Sequence, residues 1–456
     1  MKVSTWTLCF AGVAVAALSH DLPWFQFTAM SNLPLLAVTA AAVAMAVWSL
    51  SRSQGLPRAT MRWSNQWALW LWLLTMLVVQ FGVHRLTGIT AMRLTGYVVV
   101  ALLAYAAWPA MMIRNERIFA SWQRVVVIAA AVMSITAALS NLGMDTLLGL
   151  QFSVKDHQAY RVLGVRASGG LTSHPLTLGA LCFFGIGGGA YLWRRHRSPW
   201  TAMLIAVCVL GMLISMARGA WLATFVAACI WMAPRAMTRR RWVVLVGLPM
   251  MAAMLAWVGL AVAADVPLLS RMLRLEMGLS NRDILWAYGL VRVGQEPWFG
   301  YGFLESGRLI SDAGLAWRLG LEDDAPFHNT FLDMAIFAGI PVTAAYAALF
   351  VGPVWGLAKR RHRSDITDET RRFLLAMTVG AIVLAFFQNY NVGGLRLPSL
   401  AMTVLLGAAH QATMRTVGPP TVAALTPDIT EMTDAPDMPA EGSDHDDSDA
   451  APIHIT

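Results

Sequence analysis

The sequence predicts an all-α polytopic membrane protein with about 12 transmembrane helices, and three observations predict it. First, 57% of the 456 residues are hydrophobic and 13% are charged, with a mean hydropathy of +0.56; soluble domains carry roughly twice that share of charge. Second, apolar runs of membrane-spanning length recur along the chain. Third, basic residues cluster between alternate runs. A soluble globular enzyme and an intrinsically disordered chain are both excluded. The net charge of +8 is dispersed over those clusters rather than gathered in one patch, so membrane lipids and no nucleic acid are the expected partners.

Runs of about 17–25 apolar residues match the thickness of a bilayer's hydrocarbon. They place spans at 3–19, 33–50, 64–82, 94–113, 125–142, 171–193, 199–217, 219–233, 242–264, 329–352, 373–391 and 397–414. Residues 1–19 resemble a signal peptide, with Lys2 ahead of an apolar stretch. No small-residue cleavage site precedes Asp21 and a second span follows, so this segment is read as an anchor.

Orientation follows from the excess of Lys and Arg expected in cytoplasmic loops. Arg52/Arg58/Arg62, Arg114/Arg117/Arg124, Arg194/Arg195/Arg197, Arg235/Arg239/Arg240/Arg241 and the Lys359–Arg363 and Arg371/Arg372 group fall in alternate connections. With Lys2 and Arg415 they account for 21 of the 34 basic residues, and both chain ends lie inside. Cys9, Cys182, Cys208 and Cys229 all fall within spans, which argues against a disulfide framework. The expected organisation is a transmembrane body over 1–415, with a long outer loop at about 265–328, and an acidic disordered cytoplasmic tail over 416–456. That tail holds nine acidic residues and no Lys or Arg.

Thirteen basic residues remain on the outer side. Arg161 and Arg166 precede the sixth span, Arg218 sits at the hairpin tip between the seventh and eighth, and Arg271, Arg274, Arg282, Arg292, Arg308 and Arg318 lie in the long loop. Arg218 stands in an almost unbroken apolar stretch, Ser215-Met216-Ala217-Arg218-Gly219-Ala220-Trp221, where a charge costs about 2.5–3.5 kcal/mol without a partner. It either snorkels to the interface or serves a ligand, with Gly219 freeing the backbone for a tight reversal or leaving room. The loop is too long for a plain connector and carries short helices. Within it, residues 282–298 read as an amphipathic interfacial helix with apolar positions at 284, 285, 288 and 291, capped by Asn281 and stopped by Pro297. Phe299-Gly300-Tyr301-Gly302-Phe303 follows as a Gly-aromatic turn. His328-Asn329 closes the loop at the mouth of the tenth span, where a histidine is either an interfacial residue or a base.

Guanidinium groups at the outer interface suit an anion, most simply a phosphate. A membrane lipid's diphosphate arrives at that depth, and arginines stabilise it as it departs. A neutral His accepts the proton of an attacking hydroxyl. The outer loops contain no His-Glu-x-x-His, no clustered His/Cys ligands and no Asp-x-Asp, and the chain has no Walker A sequence. No metal or other cofactor is therefore expected. Gly187-Gly188-Gly189 reads as close helix packing.

Four elements in order resemble the O-antigen ligase family, whose broader relatives include polysaccharide polymerases and protein O-oligosaccharyltransferases. Arg166-Ala167-Ser168-Gly169 with His174-Pro175 and Leu178-Gly179 is similar to "R-x-x-G … P-N-x-x-G", with Leu176 where the family often has Asn. Ser215 to Ala220 is similar to "S-x-S-R-G", with Ala217 replacing the second Ser. Asn281-Arg282 to Trp286, then Pro297 and Gly300-Tyr301-Gly302, resembles "R-x-x-x-W … P-x-x-G-x-G". His328-Asn329 with Gly339 resembles "H-N-x-(Y/F) … G". The resemblance covers roughly residues 160–345.

It implies a GT-C-like glycosyltransferase of the bacterial inner membrane, working on the periplasmic face. The implied reaction is metal-independent, inverting transfer of O-antigen polysaccharide from undecaprenyl diphosphate to a lipid A–core sugar hydroxyl. Carried over by position, Arg218 and Arg282 bind the diphosphate and His328 activates the acceptor, with Arg161 and Arg166 completing the clamp. Polymerases and protein O-oligosaccharyltransferases share the donor chemistry and stay open as alternatives. A twelve-span secondary transporter calls for ionisable groups in mid-span and two related halves; Asp333 is the clear mid-span candidate, and no internal repeat is evident.

Overall fold

The computed structural model describes residues 5–19, 66–86, 88–147, 150–155, 161–162, 165–233, 282–303, 305–319, 325–359, 366–394 and 396–414. The chain divides into two units, Met1–Thr416 and Val417–Thr456, and the described residues all belong to the first. The expected spans at 33–50 and 242–264, the Asn281 cap, Arg271, Arg274 and the acidic tail lie outside the described residues.

The architecture is mostly helical. A helix stands at the other ten expected span positions: α1 (Thr5–Ser19), α2 (Trp67–Leu77, running on as a π-helix Val78–Val83), α3 (Gly88–Ala101, with a π-helix Leu102–Ala107 and then Trp108–Arg114), α4 (Glu116–Asn141), α5 (Pro175–His196), α6 (Pro199–Ser215), α7 (Arg218–Met232), α11 (Thr330–Ala358), α12 (Asp368–Phe387) and α13 (Leu397–Thr413). Between them lie three outer-loop helices, α8 (Arg282–Gln295), α9 (Glu305–Asp312) and α10 (Leu315–Leu319). Among the described residues five helices are long and apolar enough to cross a membrane: Thr90–Ile113, Glu116–Asn141, Pro175–His196, Thr330–Ala358 and Asp368–Phe387. The protein is thus a multi-pass membrane protein.

The connection between α4 and α5 departs from the all-α expectation. Five short strands, β1 (Thr146–Leu147), β2 (Leu150–Gln151), β3 (Ser153–Lys155), β4 (Arg161–Val162) and β5 (Val165–Gly170), form a hairpin and a three-stranded antiparallel sheet of order β3-β5-β4. No strand is longer than six residues, too short for period-two alternation to register in a sequence scan.

Local chemistry sets the helix starts. Asn115 accepts from the Arg117 amide at 3.0 Å, Thr367 from the Thr370 amide at 3.2 Å, and His174 from the Leu176 amide at 3.1 Å. Each satisfies a donor that a helix N-terminus leaves open. Glycines then let helices approach closely. A Cβ on Gly187 would overlap Met377 of α12, and one on Gly211 would overlap Ser134 of α4, which accords with the packing role expected for the glycine run.

The break in α11 has the largest consequence for the segment that follows α8. Gly339 lies at φ 82°, ψ 174° inside the helix, and Pro341 follows. Pro341 has no N–H for the Phe337 carbonyl four residues back. That carbonyl instead accepts from Gln80 Nε2 at 2.7 Å and from the Gly302 amide at 3.2 Å. The Tyr301 amide donates to Ile336 O at 2.6 Å, and the Ile340 amide donates to Pro297 O at 2.8 Å. Segment 297–303 therefore slots into the break and repairs it. Gly300 and Gly339 are required there, because a Cβ on either would overlap the opposite backbone.

Candidate active site

The three residues that the sequence singled out most strongly lie at or near described helix ends. Arg218 is the first residue of α7, and Arg282 is the first described residue of α8. His328 stands one residue before Asn329, the N-cap of α11. Helix N-termini present unpaired amides and the positive end of the macrodipole, which adds to the two guanidinium charges in favouring an anion.

The turn before Arg218 is tightly built. The Ser215 hydroxyl donates to Met212 O at 2.7 Å and accepts from the Ala217 amide at 3.3 Å. Trp221 Nε1 also donates to Met212 O, at 2.9 Å. The left-handed conformation falls on Met216, φ 50°, and not on Gly219. Of the two purposes open to Gly219 it serves to leave room, since a Cβ there would overlap Phe387, at the end of α12. Gly179 of α5 likewise lies against Ala217 and Ser215, so the first and second sequence elements meet here.

Phe387 links this turn to the other two. Its ring lies 6.2 Å from that of Trp286, one turn along α8 from Arg282. Trp286 Nε1 donates to Phe327 O at 2.9 Å, and the Phe327 amide donates to Asp333 Oδ1 at 3.1 Å. The carbonyl and amide just before His328 are thus held from two helices. Asn329 Oδ1 accepts from the Phe331 and Leu332 amides at 3.0 and 3.1 Å, and Thr330 donates to Gln388 O at 2.7 Å. His328 itself is left-handed, with φ 53°, a conformation that costs a non-glycine residue on the order of 1–2 kcal/mol and persists where surroundings enforce it.

Burial lowers the His328 pKa, and the Arg282 charge lowers it further, to about 3. The imidazole is therefore neutral at pH 7. An anion bound at Arg282 would offset that charge and raise the basicity of His328. What this arrangement can do chemically is hold a multiply charged anion while a neutral imidazole accepts a proton nearby.

Other expected site residues stand differently. Arg166 donates through Nη2 to Ser140 O at 2.6 Å and lies 3.9 Å from Asp145, and its amide donates to Asn141 Oδ1 at 2.7 Å. It ties β5 to the end of α4. Arg161 is the Cα partner of Arg166 in the β4–β5 ladder. Arg292 Nε donates to Tyr288 Oη at 2.8 Å and Nη1 to Gln295 Oε1 at 2.9 Å, while Arg308 pairs with Glu305 and Asp312. Both stabilise the loop's own helices. Asp333 is buried and serves the Phe327 amide. The buried face of α8 is Leu285, Gly289 and Val293, whereas Ile284 and Val291 are exposed. The apolar stripe read from the sequence is thus only partly the packed one. Phe387 and Thr330 were missed, since an aromatic at a span's end and a threonine in a helix's first turn carry no sequence signal of their own.

A family model described as O-antigen ligase matches residues 200–347. That stretch runs from α6 into α11 and contains Arg218, Arg282 and His328. Over residues 200–347 the chain is thus similar to the O-antigen ligase family. Members of that family are glycosyltransferase-like enzymes, ligases or polymerases, and the match supports an enzyme of that general kind. No curated protein matches the chain.

Proposed function

We propose that the chain is an O-antigen ligase of the bacterial inner membrane, a twelve-span, GT-C-like enzyme with its active site on the periplasmic face. The donor is a glycan on undecaprenyl diphosphate and the acceptor a hydroxyl of a lipid A–core sugar. The observation that supports this reading is the joining of the three turns through Phe387, which lies against Gly219 next to Arg218 and near the Trp286 ring of α8, while Trp286 Nε1 donates to the carbonyl of Phe327 next to His328.

In the proposed reaction Arg218 and Arg282 hold the donor diphosphate, with Arg161 and Arg166 as outer members of the clamp. Once the diphosphate offsets the Arg282 charge, His328 takes the proton of the acceptor hydroxyl. The acceptor oxygen bonds to the anomeric carbon as the carbon–oxygen bond to diphosphate breaks, and the configuration inverts. The leaving diphosphate takes its charge onto the two guanidinium groups and the helix N-termini. No metal is required, because those groups supply the positive charge.

Transfer is measured in membranes supplied with the lipid-linked glycan and lipid A–core. Ala at Arg218, Arg282 or His328 is expected to reduce transfer by roughly 10²–10⁴-fold with normal accumulation of the protein. Wild-type levels of capped lipopolysaccharide in all three variants would refute the site. In a deletion strain a ligase leaves long chains on the carrier lipid, whereas a polymerase leaves single repeat units.

A further inference from the structure

Gln388 ends α12 in an extended conformation, φ -149°, ψ 156°. It is 2% exposed, yet among the described residues neither Nε2 nor Oε1 of its carboxamide has a hydrogen-bond partner. Asn391 Oδ1, three residues on, has none among them either. Leaving such a buried atom unsatisfied costs stability, so two on one side chain is a state the fold tolerates against its own stability.

Its location is well defined. The preceding residue, Phe387, lies against Gly219 and near the Trp286 ring. The Gln388 carbonyl accepts from Thr330 Oγ1 at 2.7 Å, and Thr330 Oγ1 accepts in turn from the Tyr390 amide at 3.0 Å. Gln388 therefore sits between the turn that bears Arg218 and the turn that bears His328, two residues before Thr330. The orphan atoms also select the ligand. One is an acceptor and the other a donor of two N–H bonds. A phosphate would satisfy the donor alone. Adjacent hydroxyls on a sugar ring offer both a donor and an acceptor, and satisfy the whole group.

We infer that Gln388 is a sugar-binding residue of the transfer site, its carboxamide taking two adjacent hydroxyls of a pyranose ring held beside His328. The inference rests on the ligase reading above. The amide is closed off from solvent in the free protein, so it turns as the sugar enters, and binding removes the burden of the two unpaired atoms. The ring belongs either to the acceptor or to the first residue of the donor glycan, and kinetics distinguish them.

The test uses the full chain in detergent, with the lipid-linked glycan and lipid A–core varied in turn, comparing wild type, Gln388→Leu, Gln388→Glu and His328→Ala. Gln388→Leu keeps the volume and removes the orphan atoms. It is expected to melt no lower than wild type while kcat/KM falls by roughly 10-fold or more. A raised KM for lipid A–core assigns the contact to the acceptor, and a raised KM for the glycan donor assigns it to the donor ring. Gln388→Glu, which keeps acceptors and loses the donor, is expected to fall between. Full transfer by Gln388→Leu overturns the inference, as does a fall in melting temperature that matches the loss of activity, since both indicate a packing or water-binding role. If His328→Ala also transfers normally, the ligase site itself is wrong. If His328→Ala is inactive and Gln388→Leu is not, only the present inference fails.

Discussion

The two ends of α12 are built on opposite terms. At its first turn Arg371 and Arg372 are buried, and both reach the Asp368 carboxylate, at 2.7 Å and 3.0 Å. Arg371 Nη1 also donates to Leu357 O at 3.1 Å. Nearby, Arg195 pairs with Glu116 and its guanidinium stands 5.0 Å from the Tyr191 ring. At the far end Phe387 and Gln388 adjoin the turn that bears Arg218 and the turn that bears a left-handed histidine, His328, whose basicity burial and a neighbouring cation suppress. The Gln388 carboxamide has no partner among the described residues. The first end uses its charges on one another and gains rigidity. The second holds polar groups in states that a ligand would improve, which is how binding and catalytic sites differ from structural ion networks.

Substitutions that disturb each end sharpen the contrast. The largest stability effect is expected at the α11 break that orients the second end. Gly339→Ala combines a left-handed strain with backbone overlap, and should lower stability by about 3 kcal/mol or more, abolishing transfer with it. Normal melting and normal transfer would mean that segment 297–303 does not lock the break. Next, Asp368→Ala strands two arginines at the first end. It should lower stability by about 1.5 kcal/mol, moderated by the exposure of that carboxylate, while kcat per folded molecule stays near wild type. A selective loss of kcat would blur the distinction between the ends.

Asn329→Ala removes a cap that serves two amides and should cost about 1 kcal/mol. Because the cap adjoins His328, transfer should fall more than melting does, and equal changes would make Asn329 a helix cap alone. The smallest change expected is in the pH dependence of stability. His328 has a lowered pKa in the folded protein, so the unfolded chain binds the proton more readily. Stability should then decline as pH falls below the ordinary histidine value of about 6.5. His328→Gln should flatten that decline, and identical melting profiles for both proteins would show that His328 is solvated. The effect is small because His328 keeps part of its surface exposed and solvent screens the shift.

Much of this was legible in the sequence because membranes impose simple rules. Span positions depend on local hydropathy, and ten of the expected positions carry helices among the described residues. Arg218 stood out as a lone charge in an apolar stretch, and His328 as a histidine at a span's mouth. The strands around Arg161 and Arg166 were not legible, because short ladders are held by tertiary hydrogen bonds rather than by alternation. Nor was the engagement of Arg166 with Ser140 O, since that carbonyl is the loose end of a helix 26 residues earlier. Which of the two purposes Gly219 serves was not legible for a similar reason: the residue it makes room for, Phe387, is distant in the chain.

By itself, then, the sequence determined that the protein is membrane-embedded, where its helices run and which ionisable residues stand out against their apolar surroundings. Those properties are local, decided by whether a stretch of about 20 residues prefers hydrocarbon to water. The tertiary structure alone decided that Arg292 and Arg308 are engaged within the loop's own helices and that the Arg282 charge is felt at His328. It also revealed the empty hydrogen-bonding capacity of Gln388. Those outcomes depend on close approach between segments far apart in the chain, through Gly219 on Phe387, Trp286 on Phe327 and Gly300 on Gly339, and no single segment encodes such a meeting.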